Sequence, residues 1–206
     1  MNFSEKNLEE DILEKLQEED FESLYNKGFE YYDPEEEREF FHAQSQVDLS
    51  PYGIADIICT RLYKTYHRSK ELDYTELCIE MDIIELKARY IKSKDIDQVL
   101  RYKRAIERYV ENKYKQDNKY CYEVEVNCIL IGSGIEHGHY IHNHIGDQLY
   151  IYTYTSNLID GIQFEFQDIG WIKTNDEDYI ESMDKNLIYV GCINEFAMPD
   201  LEPRKK

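Results

Sequence analysis

Leu77-Cys-Ile-Glu-Met-Asp82-Ile-Ile-Glu85-Leu-Lys87-Ala-Arg-Tyr90 is the stretch on which the reading of the fold turns. Alternate side chains of a strand point to opposite faces, so Ile79, Met81, Ile83, Glu85 and Lys87 share one side. Three apolar residues set that side in a core, and a carboxylate and an ammonium follow at its end. Charges so placed are costly unless they are paired or hold a metal. Two readings fit: a strand that leaves the core and turns polar at its tip, or a built site. Glu80 and Asp82 fall on the opposite face and stand apart from it. The flanking segments bear on the choice.

Upstream, Gln46 to Leu49, then Ser50-Pro-Tyr-Gly53, then Ile54 to Tyr63 reads as strand, turn, strand. Ile54, Asp56, Ile58 and Thr60 share a face, which sets a carboxylate on an otherwise apolar side. The polar tract His67 to Asp73 reads as the loop joining this strand to the next. Downstream, Ser93 opens a helix of about 20 residues with Ile96, Val99, Leu100, Ile106 and Val110 on its buried face. Arg101, Arg104 and Arg108 form a second, basic stripe. Gln98 and Tyr102 lie one turn apart and point the same way. Gln98 has an alternative reading as a capping-box partner of Asp95, and Tyr102 as a partly buried packing residue.

Before this block, Ser4 caps a helix with Leu8, Ile12, Leu13 and Leu16 on one face and acids on the other. Asp33-Pro34-Glu35-Glu36-Glu37 is a helix-start signal, with acids at the positive dipole end. It predicts a helix through Phe40, Phe41 and His42 to about Gln44. After it, strands are expected at Tyr120 to Ile131, Gln148 to Thr155 and Ile162 to Gln167. The order implies a mixed α/β sheet in one domain over residues 33–206, preceded by an acidic helical arm at 1–32. No role is assigned to residues 180–206, which end in a basic tail.

The bulk numbers bound the function. Aromatics at 14%, with 19 Tyr, argue against general disorder. No apolar run of about 18 residues and no leader pattern are present, which argues for no membrane association. Five Cys without a C-x-x-C pair suggest a reduced, intracellular, cytoplasmic protein. The formal charge of −19 is uneven: residues 1–40 hold 15 acidic and 4 basic residues, whereas 60–120 hold 15 basic and 11 acidic. A locally basic centre can still offer a phosphate-binding face, but tight non-specific DNA binding is not expected.

Taken in order, Gly53-Ile-Ala-Asp56-Ile-Ile, Asp82-Ile-Ile-Glu85-Leu-Lys87-Ala and Gln98-Val-Leu-Arg-Tyr102 resemble the PD-(D/E)XK nuclease superfamily. In that restriction-endonuclease-like fold, an Asp at the start of one strand and an acid-x-Lys on its neighbour form the site. The resemblance covers roughly residues 45–125. Asp56 matches the first acid, and Glu85 and Lys87 match the second acid and the Lys. Gln98 and Tyr102 look like the Gln-x-x-x-Tyr helix motif of the RecB-like branch. Ala55 stands where the superfamily's name has Pro. His42 is the candidate for that branch's additional His, with a spacing that does not verify it. An E-x-K alone is weak; the order and strand context carry more.

Phosphodiester hydrolysis asks for such residues in its own right. Hard oxygen ligands suit Mg²⁺ or Mn²⁺, and Asp56, Glu85 and the backbone carbonyl of Leu86 are the expected set. Lys87 is expected to orient the nucleophile or steady negative charge. Gln98 and Tyr102 are expected to position the substrate strand, with Arg101 and Arg104 on phosphates and Lys92 and Lys94 of lower rank. DNA is expected over RNA by analogy with the superfamily alone. Two rival readings stay open. One is a non-catalytic interaction protein, either an inactive nuclease-fold subunit or an acidic nucleic-acid mimic, with a protein partner reached through the acidic arm. The other is a metalloprotein built on Glu136-His137-Gly-His139-Tyr-Ile-His142-Asn-His144, a segment that equally reads as an exposed loop.

Overall fold

The structure, a computed structural model, describes residues 4–31, 38–68, 73–114, 121–136, 149–157, 159 and 161–167. Two helices open the chain, α1 (Glu5–Gln17) and α2 (Phe21–Asn26). Three strands follow, β1 (Arg38–Asp48), β2 (Ile54–Arg68) and β3 (Asp73–Lys87). Then come α3 (Ser93–Tyr114), β4 (Cys121–Gly132), β5 (Leu149–Asn157) and β6 (Gly161–Phe166).

The strands form one mixed sheet in chain order, β1 to β6. β1, β2 and β3 are antiparallel neighbours. A parallel partner needs a crossover, and α3 supplies it, bringing β4 alongside β3 in parallel. β5 is parallel to β4 and β6 antiparallel to β5. This is an α/β chain with helices on both faces of the sheet.

β3 is central and loses both faces to the core, with every residue from Ile79 to Leu86 buried except Glu80. Ile79, Met81 and Ile83 pack with Ile96, Val99, Ile106 and Val110 of α3 and with Val126, Cys128 and Leu130 of β4. On the other face Ile84 and Leu86 join Leu8, Ile12 and Leu16 of α1, with Leu24, Phe29, Ile57, Ile129 and Phe164. The acidic residues 1–32 thus contribute a helix that shares a core with the sheet. Each of its three fully buried apolar side chains stabilises by roughly 1.5–3 kcal/mol. Ser4 caps α1 in a reciprocal capping box with Asn7.

The helix expected over 33–44 is corrected. From Arg38 onward the chain is strand β1, so His42 stands on a strand, opposite Thr60 of β2. Phe41 and Ala43 face the α1 side and Phe40 the α3 side, a period of two that fits a strand. Local start signals at Asp33-Pro34 lie outside the described residues. The aromatic run after them takes the hydrogen bonds of an available strand edge, a tertiary choice that outweighs propensity. The hairpin expected to be open from His67 to Asp73 is also tighter. Its ladder continues to the pair Arg68–Asp73. The remaining strands and α3 fall within a few residues of their expected places.

Candidate active site

The β2–β3 ladder ends at the pair Ile57–Ile84. One step beyond, the same register would set Asp56 opposite Glu85 on the α3 side, and a side chain replaces the ladder. Asp56 Oδ2 accepts a hydrogen bond from the Leu86 backbone N–H at 2.8 Å. That bond ties the first carboxylate to the strand that carries the second. The two carboxylates lie close enough for the charge of Asp56 to act on Glu85.

Glu85 is 2% exposed. Its Oε1 accepts from Lys87 Nζ at 2.6 Å and from Gln98 Nε2 at 3.1 Å. Its Oε2 is buried and has no hydrogen-bond partner among the described residues. Gln98 Nε2 also donates to the Tyr102 hydroxyl at 2.6 Å, and Tyr102 donates to the Ile54 carbonyl at 3.1 Å. A bonded chain therefore runs from the start of β2 through α3 to Glu85. Gly53 makes room for it: a Cβ there would lie 2.4 Å from the Tyr102 oxygen, and its φ of +132° disfavours any other residue.

The electrostatics follow from burial. Glu85 is pushed up to about 7, first by burial and then by the Asp56 carboxylate, with Lys87 opposing. Asp56 is raised too, by burial above all, against the Leu86 N–H; Glu9 and Glu5 of α1 add to the rise. Burial works against the Lys87 charge, yet the Glu85 carboxylate outweighs it and the net direction is upward. Lys87 stays an ammonium.

The elements around the group hold it in place. Asp95 closes the start of α3 by accepting from the Lys92 N–H at 2.8 Å, and it pairs with both Arg89 nitrogens at 2.7 and 2.8 Å. The Asp95 carboxylate thus engages Arg89 and the Lys92 backbone, and the Gln98 amide turns toward Glu85 and Tyr102. Glu5 of α1 accepts from the Ala88 N–H at 2.9 Å, just beyond Lys87. Sequence reading named Asp95 only as a capping-box partner of Gln98, and missed Arg89, Glu5 and the space at Gly53. Only Gly53 carried a legible signal, as a glycine at the mouth of a strand.

Asp56, Glu85, Lys87, Gln98 and Tyr102 come together; other candidates do not. Arg101 is exposed on α3. Arg104 is half-buried, with an Nη1 that has no partner among the described residues, and lies roughly 200° around the helix from Tyr102. His42 is exposed and four residues along the β2 ladder from Asp56, roughly 13 Å. Lys92 pairs with Glu136 at 3.3 Å and Lys94 is exposed. The His137–His144 cluster and residues 180–206 lie outside the described residues.

Among the described residues no three His, Cys, Asp or Glu side chains gather as a metal cage. Asp56 and Glu85 are two hard carboxylates, and the buried Oε2 lacks a partner among the described residues. That set fits a small hard cation that keeps water and substrate oxygens in its shell. No helix among the described residues is long and apolar enough to cross a membrane. No family model, curated protein or solved structure matches the chain.

Proposed function

We propose that this chain is a metal-dependent nuclease of the PD-(D/E)XK superfamily, with a restriction-endonuclease-like fold, and that it hydrolyses phosphodiester bonds of DNA. The observation that carries the reading is Glu85: buried, within reach of the Asp56 charge, held on one oxygen by Lys87 and Gln98, and without a partner on the other among the described residues. Neutralising both oxygens within the protein would make a purely structural ion pair. Leaving one buried and bare is costly and is explained by a ligand.

Asp56, Glu85 and the Leu86 carbonyl would hold Mg²⁺ or Mn²⁺. When bound, that ion supplies a Lewis acid that lowers the pKa of water and polarises the phosphate. Lys87 keeps its proton beside Glu85 and sets a positive charge where charge develops on the phosphate. Gln98 aims Glu85, and Tyr102 aims Gln98. Tyr102 is 1% exposed, so its role is to position the carboxylate, with substrate left to residues nearer the surface. Arg101 offers a phosphate contact on the solvent side of α3.

One observation favours a second reading, a non-catalytic acidic interaction protein. Glu10 and Glu14 of α1 and Glu18 at its C-cap face solvent, and Glu5 and Glu9 lie close enough to raise Asp56. Such a surface suits a basic protein partner. Cleavage of labelled single-stranded, double-stranded and branched DNA and of RNA, with Mg²⁺, Mn²⁺ or EDTA, separates the two. Wild type is run beside Lys87→Ala and Asp56→Ala, each checked for folding by circular dichroism. Metal-dependent cutting lost in both variants is the expected result. An absence of cutting on every substrate, or cutting that survives both substitutions, overturns the nuclease.

A further inference from the structure

The opposite face of the sheet carries a second polar group, independent of the nuclease reading. Arg61 of β2, Glu80 and Asp82 of β3 and Asn127 of β4 lie there beneath the chain that follows α2. Asp82, 2% exposed, is saturated. Its Oδ2 accepts from the Tyr31 hydroxyl at 2.6 Å and from the Arg61 guanidinium, and its Oδ1 accepts from Asn127 Nδ2 at 3.0 Å. Arg61 also reaches Glu80 at 3.3 Å. One atom breaks the pattern. Asn127 is 6% exposed, yet its Oδ1 is buried with no partner among the described residues.

Asn127 is among the residues that line a cavity of about 420 Å³, within the range of small-molecule sites. Tyr150, Tyr152 and Phe166 line it as well, and the rings of Tyr152 and Phe166 lie 5.3 Å apart. Phe29 packs edge-on to Tyr152 at 5.0 Å. The lining carboxylates Glu30, Glu80 and Asp82 outnumber the one guanidinium, which Asp82 and Glu80 already engage. An anion would meet net negative charge. A flat cation with N–H groups answers both features of the lining: positive charge and N–H donors for the carboxylates, and a face for the aromatic rings.

We infer that this cavity is a binding site for a small planar organic cation bearing N–H donors, an aryl amidine or aryl guanidine by class. The test uses the full chain and four probes: benzamidine and phenylguanidine as cations, benzamide as the neutral N–H donor and benzoate as the anion. Binding is followed by titration calorimetry and by side-chain amide shifts in heteronuclear NMR. At least one cation should bind at up to millimolar concentration, more tightly than benzamide, with benzoate silent. It should shift the Asn127 amide and leave Gln98 unmoved. Asn127→Leu and Glu80→Gln should each weaken it by about tenfold or more, while Lys87→Ala leaves it unchanged. Should Asn127→Leu fail to fold, Glu80→Gln and the wild-type shifts decide. No cation bound, benzoate bound as tightly, shifts centred on Gln98, or folded variants that bind like wild type would each overturn the site.

Discussion

At the residue scale, Glu85 sets up an opposition between stability and the proposed activity. An ordinary glutamate titrates near 4.5, and Glu85 in the fold near 7. Between these values the native chain holds a proton that the unfolded chain has released. The Glu85 contribution to stability is therefore fully present below 4.5 and is lost as pH rises through 7. Glu85→Gln removes the buried ionisation. The variant should be more stable than wild type near pH 8, by on the order of 1–3 kcal/mol, and the gap should close near pH 5. Thermal melts across that range measure it. The same variant should lose cleavage. In wild type, Mg²⁺ or Mn²⁺ should raise the melting temperature more at about pH 8 than at about pH 6, because binding competes with the proton; in Glu85→Gln the rise should vanish. Equal metal shifts in both proteins would remove Glu85 from the ligand set.

At the element scale, the site depends on how α3 sits on β2 and β3. Tyr102→Phe deletes the hydroxyl that links Gln98 to Ile54. The expected cost is about 1–2 kcal/mol of stability. If the role is positioning, the Mg²⁺ concentration for half-maximal cleavage should also rise severalfold. A stability loss with an unchanged metal requirement would leave Tyr102 as a packing residue. Helix α1 makes a matching case on the other face. Ile12→Ala should cost about 2–5 kcal/mol, whereas the exposed Glu14→Gln should stay within about 0.5 kcal/mol; urea titrations compare them. These magnitudes also bear on truncation, since removing residues 1–32 would strip Leu8, Ile12, Leu16, Leu24 and Phe29 from one core. The legibility of the elements has the same root. α3 and β3 were readable because both have strong periods and bury them. β1 was not, because Phe40-Phe41-His42 suits a strand only once the β2 edge is there to pair with it.

At the scale of the whole molecule, charge opposes the proposed substrate. With 43 acidic against 24 basic residues, approach to DNA depends on the central basic segment and on screening by salt. Replacing Glu10, Glu14 and Glu18 together by Gln should tighten DNA binding severalfold at low salt and hardly at all at high salt, measured by fluorescence anisotropy. Tightening that persists at high salt would point to something other than long-range charge. The sequence by itself determined the class of sheet, the central strand, the crossover helix, and the residue types and order of Asp56, Glu85, Lys87, Gln98 and Tyr102. Those features are local: a period of two or 3.6 residues and fixed spacings along one segment. Only the tertiary structure decided which oxygens are satisfied and which are bare, that Arg104 and His42 stand apart from the site, and that Glu80 and Asp82 meet Arg61 and Asn127 across the sheet. Those outcomes depend on register between strands and on burial, and neither is a property of a segment taken alone.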